Sequence, residues 1–191
     1  MNTFLYILPP LAAALAWAER MREVRTKRAT VPGPRREVLS FRLFMTSGLV
    51  MFAGGIVEFF IWQPPFSLLR FLAGVVLTIT SFVIRRKAIA ALGRFWSLHV
   101  EMREGHEFVQ SGPFRWMRHP VYFSMILELL GTAFMLGSWR ALAVASLIFI
   151  PTLIWRVRTE EEALITQFGP AYEAYRRSTG MIFPWRGPHA T

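Results

Sequence analysis

Five apolar stretches, each close to the length of a membrane-crossing helix, constrain this chain more than any other feature of its sequence. A helix needs about 20 residues to cross about 30 Å of hydrocarbon. The second and third stretches hold one charge each, Glu58 and Arg70, whereas the first and last are short enough to tilt or to lie within a bundle. This pattern predicts an all-α integral membrane bundle of about five transmembrane helices in a single domain, 1–191. The predicted spans are 4–18, 43–62, 67–84, 121–137 and 141–155.

The positive charge of the chain lies almost wholly on one side of these spans. The formal net charge is +10, and 20 of the 22 Lys and Arg residues fall in 19–42, in 85–118 or in the tail from residue 156. Cytoplasmic loops of membrane proteins are enriched in Lys and Arg. We therefore expect the N-terminus outside and the C-terminus in the cytoplasm, in a bacterial inner membrane. Membrane topology and anionic lipid explain the charge, so no nucleic acid partner is expected.

The composition excludes several chemistries. The chain has no Cys and no Asp, and its acidic residues are twelve Glu. A thiol nucleophile, a Cys zinc site, a Ser-His-Asp triad and an Asp-based magnesium site are therefore impossible, and no metal is expected. Polar chemistry must depend on Arg, Glu, His, Tyr and hydroxyl groups.

The first concentration of polar residues, 106–122, lies just before and at the start of the fourth predicted span. Its Ser111-Gly112-Pro113 element favours a turn. Pro120 suits the first helical turn, which places His119 at the helix start. Because a helix N-terminus presents free N–H groups and a positive partial charge, this point can attract a carboxylate or phosphate.

The second concentration, 156–175, continues the fifth span out of the membrane. Helical spacing places Arg156 near Glu160, and Arg158 near Glu161 and Glu162. Two interpretations are open: a solvated helix with weak surface ion pairs, or an Arg and one or two Glu turned into a cleft at the lipid boundary.

Two carboxylates lie inside predicted spans, where an ionisable group is costly. Glu128 shares a helix face with Ser124 and Gly131, which predicts close packing there. Glu128 either bonds to a partner helix or lines a substrate pocket. Glu58 lies near the outer end of its span, and we expect a structural or interfacial role for it.

Together, the two polar segments resemble the C-terminal catalytic region of the isoprenylcysteine carboxyl methyltransferase family, which is related to the phospholipid N-methyltransferases. The resemblance covers 106–184 and departs from the family pattern at Phe108, Phe114 and Ser124, which affect the shape of the pocket. The matching residues are His106, Val109, Ser111, Gly112, Arg118, His119, Pro120, Tyr122, Gly131, Arg156, Glu160, Glu161, Leu164, Phe168, Gly169, Tyr172, Tyr175 and Pro184.

The resemblance implies an enzyme that uses S-adenosyl-L-methionine, held between the loop before the fourth span and a cytoplasmic C-terminal helix. It implies catalytic roles for Arg156 and Glu160, with Arg158 as the alternative arginine. The cofactor-binding residues that it implies are His106, Val109, Gly112, Arg118, His119, Pro120, Tyr122 and Glu161.

The acceptor expected from this resemblance is an amphipathic molecule in the lipid bilayer, most simply the carboxylate of a prenylcysteine-like substrate. A phospholipid amine is an alternative acceptor. Membrane sterol reductases share a similar Arg-His-Pro-x-Tyr element and use NADPH, so a reductase is a second enzyme class to test. A lipid-binding scaffold without activity is a third interpretation.

Overall fold

The computed structural model describes residues 3–26, 38–93, 96 and 108–184. Within these ranges the chain is all-α, and a short 3-10 turn at Gly112–Arg115 precedes the fourth helix. The helices are α1 (Thr3–Arg25), α2 (Val38–Trp62), α3 (Leu68–Leu92), α4 (Pro120–Leu136), α5 (Trp139–Phe168) and α6 (Pro170–Ser178).

Three of these helices are long and apolar enough to cross a membrane, namely α2, α3 and α5. The apolar helix α4 is shorter, at 17 residues, and α1 is not among the three. The all-α membrane architecture is thus confirmed, whereas the count of five crossings stays a prediction.

Four helices extend beyond the apolar stretches that predicted them. α1 continues to Arg25, α3 to Leu92 and α5 to Phe168, and α2 begins earlier, at Val38. The predicted cytoplasmic loop 19–42 is therefore wrong at 19–25 and at 38–42, while residues 27–37 lie outside the described part. The extensions stay helical because their charged side chains find partners on neighbouring helices; Arg86 on α3, for example, donates to Glu19 on α1 at 2.6 Å.

The main helix pairs are α3 with α4 and α2 with α5, both antiparallel. Helices joined by the short links at residues 63–67 and 137–138 contact each other less, although these links reverse the direction of the chain. α3 and α4 approach closely at two glycines, because an added Cβ on Gly74 would lie 2.7 Å from the Gly131 carbonyl oxygen. The predicted close packing at Gly131 is confirmed.

Glu58 fastens α2 to the start of α5. Its Oε2 accepts a hydrogen bond from the Ala141 backbone N–H at 2.8 Å, and its Oε1 lies 3.4 Å from Arg140 Nη1. Free N–H groups at a helix N-terminus favour a carboxylate. The structural role expected of Glu58 is confirmed.

The C-terminal tail returns to the loop before α4. The backbone N–H groups of Arg118 and His119 donate to the carbonyls of Gly180 and Met181, at 2.9 and 3.0 Å. Tyr175 on α6 also donates its hydroxyl proton to the Phe114 carbonyl at 2.7 Å. These bonds bring α6 and the tail against the segment that opens the candidate site.

Candidate active site

A cavity of about 210 Å³ lies between α1, α2, α4, α5 and α6. The cavity extends from an apolar region within the helix bundle to the two polar segments, 106–122 and 156–175. The sequence-predicted residues that line it are Val109, Arg118, His119, Pro120, Tyr122, Arg156 and Glu160.

Arg156, Tyr122 and Glu160 form a hydrogen-bonded chain on the cavity wall. Arg156 Nε donates to the Tyr122 hydroxyl at 3.1 Å, and that hydroxyl donates to Glu160 Oε2 at 2.6 Å. Arg156 is 5% exposed, and its Nη1 donates to Ser40 Oγ on α2 at 2.6 Å. A charged guanidinium held by several helices keeps a fixed orientation, which suits it to gripping a ligand oxygen.

Glu161, the next residue, faces a different set of cations. Its Oε1 accepts from Arg118 Nε at 2.7 Å and lies 3.2 Å from His119 Nε2, while its Oε2 lies 3.3 Å from Arg176 Nε. The ion pair predicted between Arg158 and Glu161 from helical spacing is therefore replaced by contacts with the loop before α4 and with α6.

The electrostatics of Glu161 follow from these contacts. The carboxylate lies beyond the apolar part of α5, in the segment that continues out of the predicted span. Burial alone would raise its pKa, but hydrogen bonds from His119 and Arg118 outweigh that effect and lower the pKa to about 2. Arg118 also donates through Nη1 to the carbonyls of Arg176 and Thr179. Glu161 and Arg118 thus fasten α5 and α6 to the wall of the cavity.

Aromatic rings close the α6 end of the cavity. Phe108 meets Tyr172 edge to face, with ring centroids 5.7 Å apart, and Tyr175 at 5.8 Å. All three residues line the cavity. Burial is the largest effect on both tyrosines and raises the pKa of Tyr172 and of Tyr175. Both phenols therefore stay neutral near pH 7 and offer flat, uncharged surfaces.

Two of the remaining sequence-predicted residues within the described part of the chain, Gly112 and Arg158, do not line the cavity. Gly112 has a φ of +59° and packs beside Ala91, where an added Cβ would lie 3.5 Å from the Ala91 Cβ. Arg158 is exposed and is not among the described residues that line the cavity. His106 lies outside the described residues.

Two features of the site were missed or left open by sequence reasoning. Ser40, which holds Arg156, carries no motif and lies 116 residues away in the chain. Glu128 accepts from Arg85 Nη2 on α3 at 2.5 Å, which confirms its bond to a partner helix, and it also lines the cavity; a substrate at this point stays a prediction.

Comparison with known proteins shows which family this site resembles. Residues 74–166 match the model of the isoprenylcysteine carboxyl methyltransferase (ICMT) family. Over these residues the chain is similar to the ICMT family. The match contains α4, most of α5 and the Arg156–Tyr122–Glu160 chain, so the resemblance identified from sequence motifs is confirmed.

Individual relatives show the same similarity. The cobalt-zinc-cadmium resistance protein CzcN of Cupriavidus metallidurans is 35% identical over 51% of this chain and 45% of its own length. The protein-S-isoprenylcysteine O-methyltransferase of Schizosaccharomyces pombe is 31% identical over 53% of this chain and 44% of its own length. The chain thus spans about half the length of the curated relatives that it matches.

The fold also agrees with a solved ICMT structure. The eukaryotic intramembrane Ras methyltransferase ICMT superposes with a TM-score of 0.65 over 78% of this chain and 55% of that chain, at 22% sequence identity. The helical membrane fold of this family is therefore shared.

Proposed function

We propose that this protein transfers a methyl group from S-adenosyl-L-methionine to the carboxylate of an amphipathic acceptor in the membrane, such as a prenylcysteine. The observation that carries the proposal is the hydrogen-bonded chain of Arg156, Tyr122 and Glu160, which lines a cavity continuous with the apolar interior of the bundle. The relatives named as protein-S-isoprenylcysteine O-methyltransferases support the reaction class.

The residues at the α6 end of the cavity fit S-adenosyl-L-methionine. When bound, this cofactor supplies a methyl group on a positively charged sulfur, which leaves as a neutral thioether when the acceptor oxygen takes the methyl. The aromatic rings of Phe108, Tyr172 and Tyr175 suit a flat purine, and the Glu160 carboxylate together with aromatic faces suits a sulfonium cation. We propose that Val109, His119 and Pro120 also contact the cofactor. The ion pair of Arg118 with Glu161 is proposed to position these residues.

Arg156 is the residue proposed to orient the acceptor. A carboxylate is already nucleophilic and needs no general base, so the protein's main task is to hold its oxygen in line with the donor carbon. Arg156 already donates to Tyr122 and Ser40, which fixes its guanidinium before the acceptor arrives. Glu160 keeps the Tyr122 hydroxyl turned so that it accepts from Arg156.

The apolar part of the cavity suits the tail of the acceptor. Apolar side chains on the wall exclude water, and a dry site favours a reaction in which opposite charges neutralise each other. We propose that the tail enters from the bilayer, while the polar cofactor enters from the cytoplasm. The apolar lining includes Ala13, Trp17, Met45, Gly48, Met51 and Phe52.

The test is methyl transfer in detergent-solubilised protein with a radiolabelled methyl donor and N-acetyl-S-farnesylcysteine. We expect a base-labile methyl ester, identified by mass spectrometry. Arg156→Ala should abolish labelling, whereas Arg177→Ala, which removes an exposed charge on α6, should leave it unchanged. Arg158→Ala then decides between the two arginines proposed from the sequence.

Two outcomes would contradict the proposal. Full labelling by Arg156→Ala would remove Arg156 from the reaction. Thermal stabilisation by NADPH but not by S-adenosylhomocysteine would favour a reductase instead.

A further inference from the structure

Four charged residues meet inside the bundle, away from the Arg156 site: Arg20 and Glu23 on α1, Arg85 on α3 and Glu128 on α4. Arg85 is completely buried, and Glu128 is 18% exposed. Arg85 Nη2 donates to Glu128 Oε2 at 2.5 Å, and Arg85 Nε donates to Ser124 Oγ at 3.0 Å. We call these four residues the inner charge cluster.

Part of this cluster lines the same cavity as the candidate active site. Arg20 and Glu128 stand on its wall together with Tyr122 and Arg156. Glu128 follows Tyr122 by six residues on α4, which corresponds to about 9 Å along a helix. The cavity therefore carries charged side chains at two depths, with Arg156 and Glu160 at one and Arg20 and Glu128 about 9 Å deeper.

The two arginines of the cluster differ in the number of hydrogen bonds that they make. Arg85 makes two hydrogen bonds, one of them to the Glu128 carboxylate, although its buried Nη1 has no hydrogen-bond partner among the described residues. Within the described part of the chain, Arg20 makes no hydrogen bond. Its two ion pairs are long, 3.5 Å to Glu23 Oε1 and 3.9 Å to Glu128 Oε1, although its side chain is only 13% exposed.

Such a guanidinium is costly to leave without hydrogen bonds. Removing a charged group from water is compensated only when its N–H groups find acceptors. A purely apolar tail in the cavity would displace water from Arg20 and offer it no acceptor. A tail with a hydroxyl or carbonyl oxygen at this depth would provide one, because an oxygen can accept a charge-assisted hydrogen bond from the guanidinium.

We propose that Arg20, held by Glu23 and Glu128, is a specificity-determining residue that binds an oxygen atom on the acceptor, about 9 Å from the methylated group. The substrate class is then an amphipathic carboxylate with a polar oxygen partway along its chain. This inference rests on the proposed function for the placement of the carboxylate at Arg156, but the Arg20 subsite can be tested without any methyl transfer.

The binding test compares three fatty acids of equal length: hexadecanoate, a mid-chain hydroxyhexadecanoate and a chain-end hydroxyhexadecanoate. Their Kd values are measured by calorimetry with the detergent-purified full chain. We expect the mid-chain hydroxyl to tighten binding by about tenfold or more, the ratio that corresponds to one hydrogen bond to a charged donor. The chain-end hydroxyl should give no such gain.

The variant Arg20→Met should bring the three Kd values to within about twofold of one another, because it keeps the apolar stem and removes the donor. The matched control is Arg22→Met, which removes an exposed arginine from the same helix and should keep the preference. Arg20→Lys keeps the positive charge but lacks the planar guanidinium with its several donors. It should therefore keep part of the preference for the mid-chain hydroxyl. If Arg20→Met fails to fold, the comparison of Arg20→Lys with Arg22→Met still decides the question.

The outcomes separate this inference from the proposed function. A purely structural role for Arg20 would lower the unfolding temperature of Arg20→Met and leave the hydroxyl preference intact, and this result would overturn the inference. Methyl transfer with equal Kd values for the three acids would also overturn it, while the proposed function would stand. A mid-chain preference that depends on Arg20, in a protein that transfers no methyl group, would support the subsite and refute the proposed function.

Discussion

At the scale of single residues, the Tyr122 hydroxyl joins the two groups proposed for catalysis. It accepts from Arg156 Nε at 3.1 Å and donates to Glu160 Oε2 at 2.6 Å, in a buried position. Tyr122→Phe removes this oxygen and leaves the ring in place. A buried hydrogen bond to a charged group contributes about 1.5 to 3 kcal/mol, so we expect kcat/KM to fall by about ten- to a hundredfold.

The Tyr122→Phe variant is tested by initial rates of methyl transfer, with thermal unfolding as the check on the fold. Ser178→Ala is a suitable control, because Ser178 donates only to backbone carbonyls within α6. Unchanged kinetics in Tyr122→Phe would show that Arg156 and Glu160 keep their positions without the bridge.

The Glu161 carboxylate predicts how stability depends on pH. Its folded-state pKa of about 2 lies below the ordinary value of a carboxyl group in an unfolded chain, about 4.3. Ionised Glu161 therefore stabilises the fold above that ordinary value, and this contribution is lost as the pH falls towards about 2.

We expect the unfolding temperature of the wild type to decrease between about pH 5 and pH 3, and Glu161→Gln to be less stable at pH 7 with a weaker pH dependence. Glu173→Gln, which alters an exposed ion pair with Arg177, is the control. Parallel pH profiles for the wild type and Glu161→Gln would contradict the assignment of this pKa.

Sequence motifs identified the residues of the site, but they did not identify the side chains with which those residues interact. Arg156, Glu160, Tyr122 and Glu161 stand at family spacings, so the sequence could identify them. Helical spacing assigned Glu161 to Arg158, yet the structure shows it with Arg118, His119 and Arg176. Local spacing cannot reveal contacts made between helices.

The same limit applies to residues that the motifs do not mark. Ser40 holds Arg156 and Arg20 lines the cavity, both from helices outside the motif segments. Their roles depend on how α1 and α2 pack against α4 and α5, and no local pattern in the sequence encodes that packing.

At the scale of elements, two glycines set the distance between α3 and α4. An added Cβ on Gly131 would lie 2.3 Å from Thr78 Oγ1 and 2.9 Å from the Gly74 carbonyl oxygen. Small residues at such contacts let membrane helices approach closely. Gly131→Ala should therefore separate the two helices and lower the free energy of unfolding by about 1 to 3 kcal/mol.

The matched control for this prediction is Gly54→Ala on α2. Its added Cβ would lie 3.5 Å from the Ala141 Cβ, an ordinary contact. Thermal unfolding in one detergent compares the two variants with the wild type. Equal stability for Gly131→Ala and Gly54→Ala would mean that α3 and α4 adjust to the extra methyl group without cost.

Hydropathy located the centres of the helices but not their ends. The apolar scan ended the first span at residue 18 and the fifth at residue 155, while α1 and α5 continue to Arg25 and Phe168. These extensions carry Arg20, Arg156 and Glu161, the charged residues that build the cavity and its support. A scan for apolar residues stops where the functional part of these helices begins.

At the scale of the whole molecule, the orientation in the membrane decides which side the cofactor reaches. The distribution of Lys and Arg predicts that the link between α2 and α3 lies outside and that α6 lies in the cytoplasm. Phe108, Tyr172 and Tyr175 line the cavity near α6, where the cofactor is proposed to bind, so this orientation would open the proposed cofactor site to the cytoplasm.

The sequence contains no cysteine, so single introduced cysteines can report this orientation without background labelling. Gln63→Cys marks the link between α2 and α3, and Arg177→Cys marks an exposed position on α6. In intact spheroplasts, a membrane-impermeant maleimide should label Gln63→Cys, while Arg177→Cys should react only after permeabilisation. The reverse pattern would place the α6 end of the cavity outside the cell, where S-adenosyl-L-methionine made in the cytoplasm could not reach it.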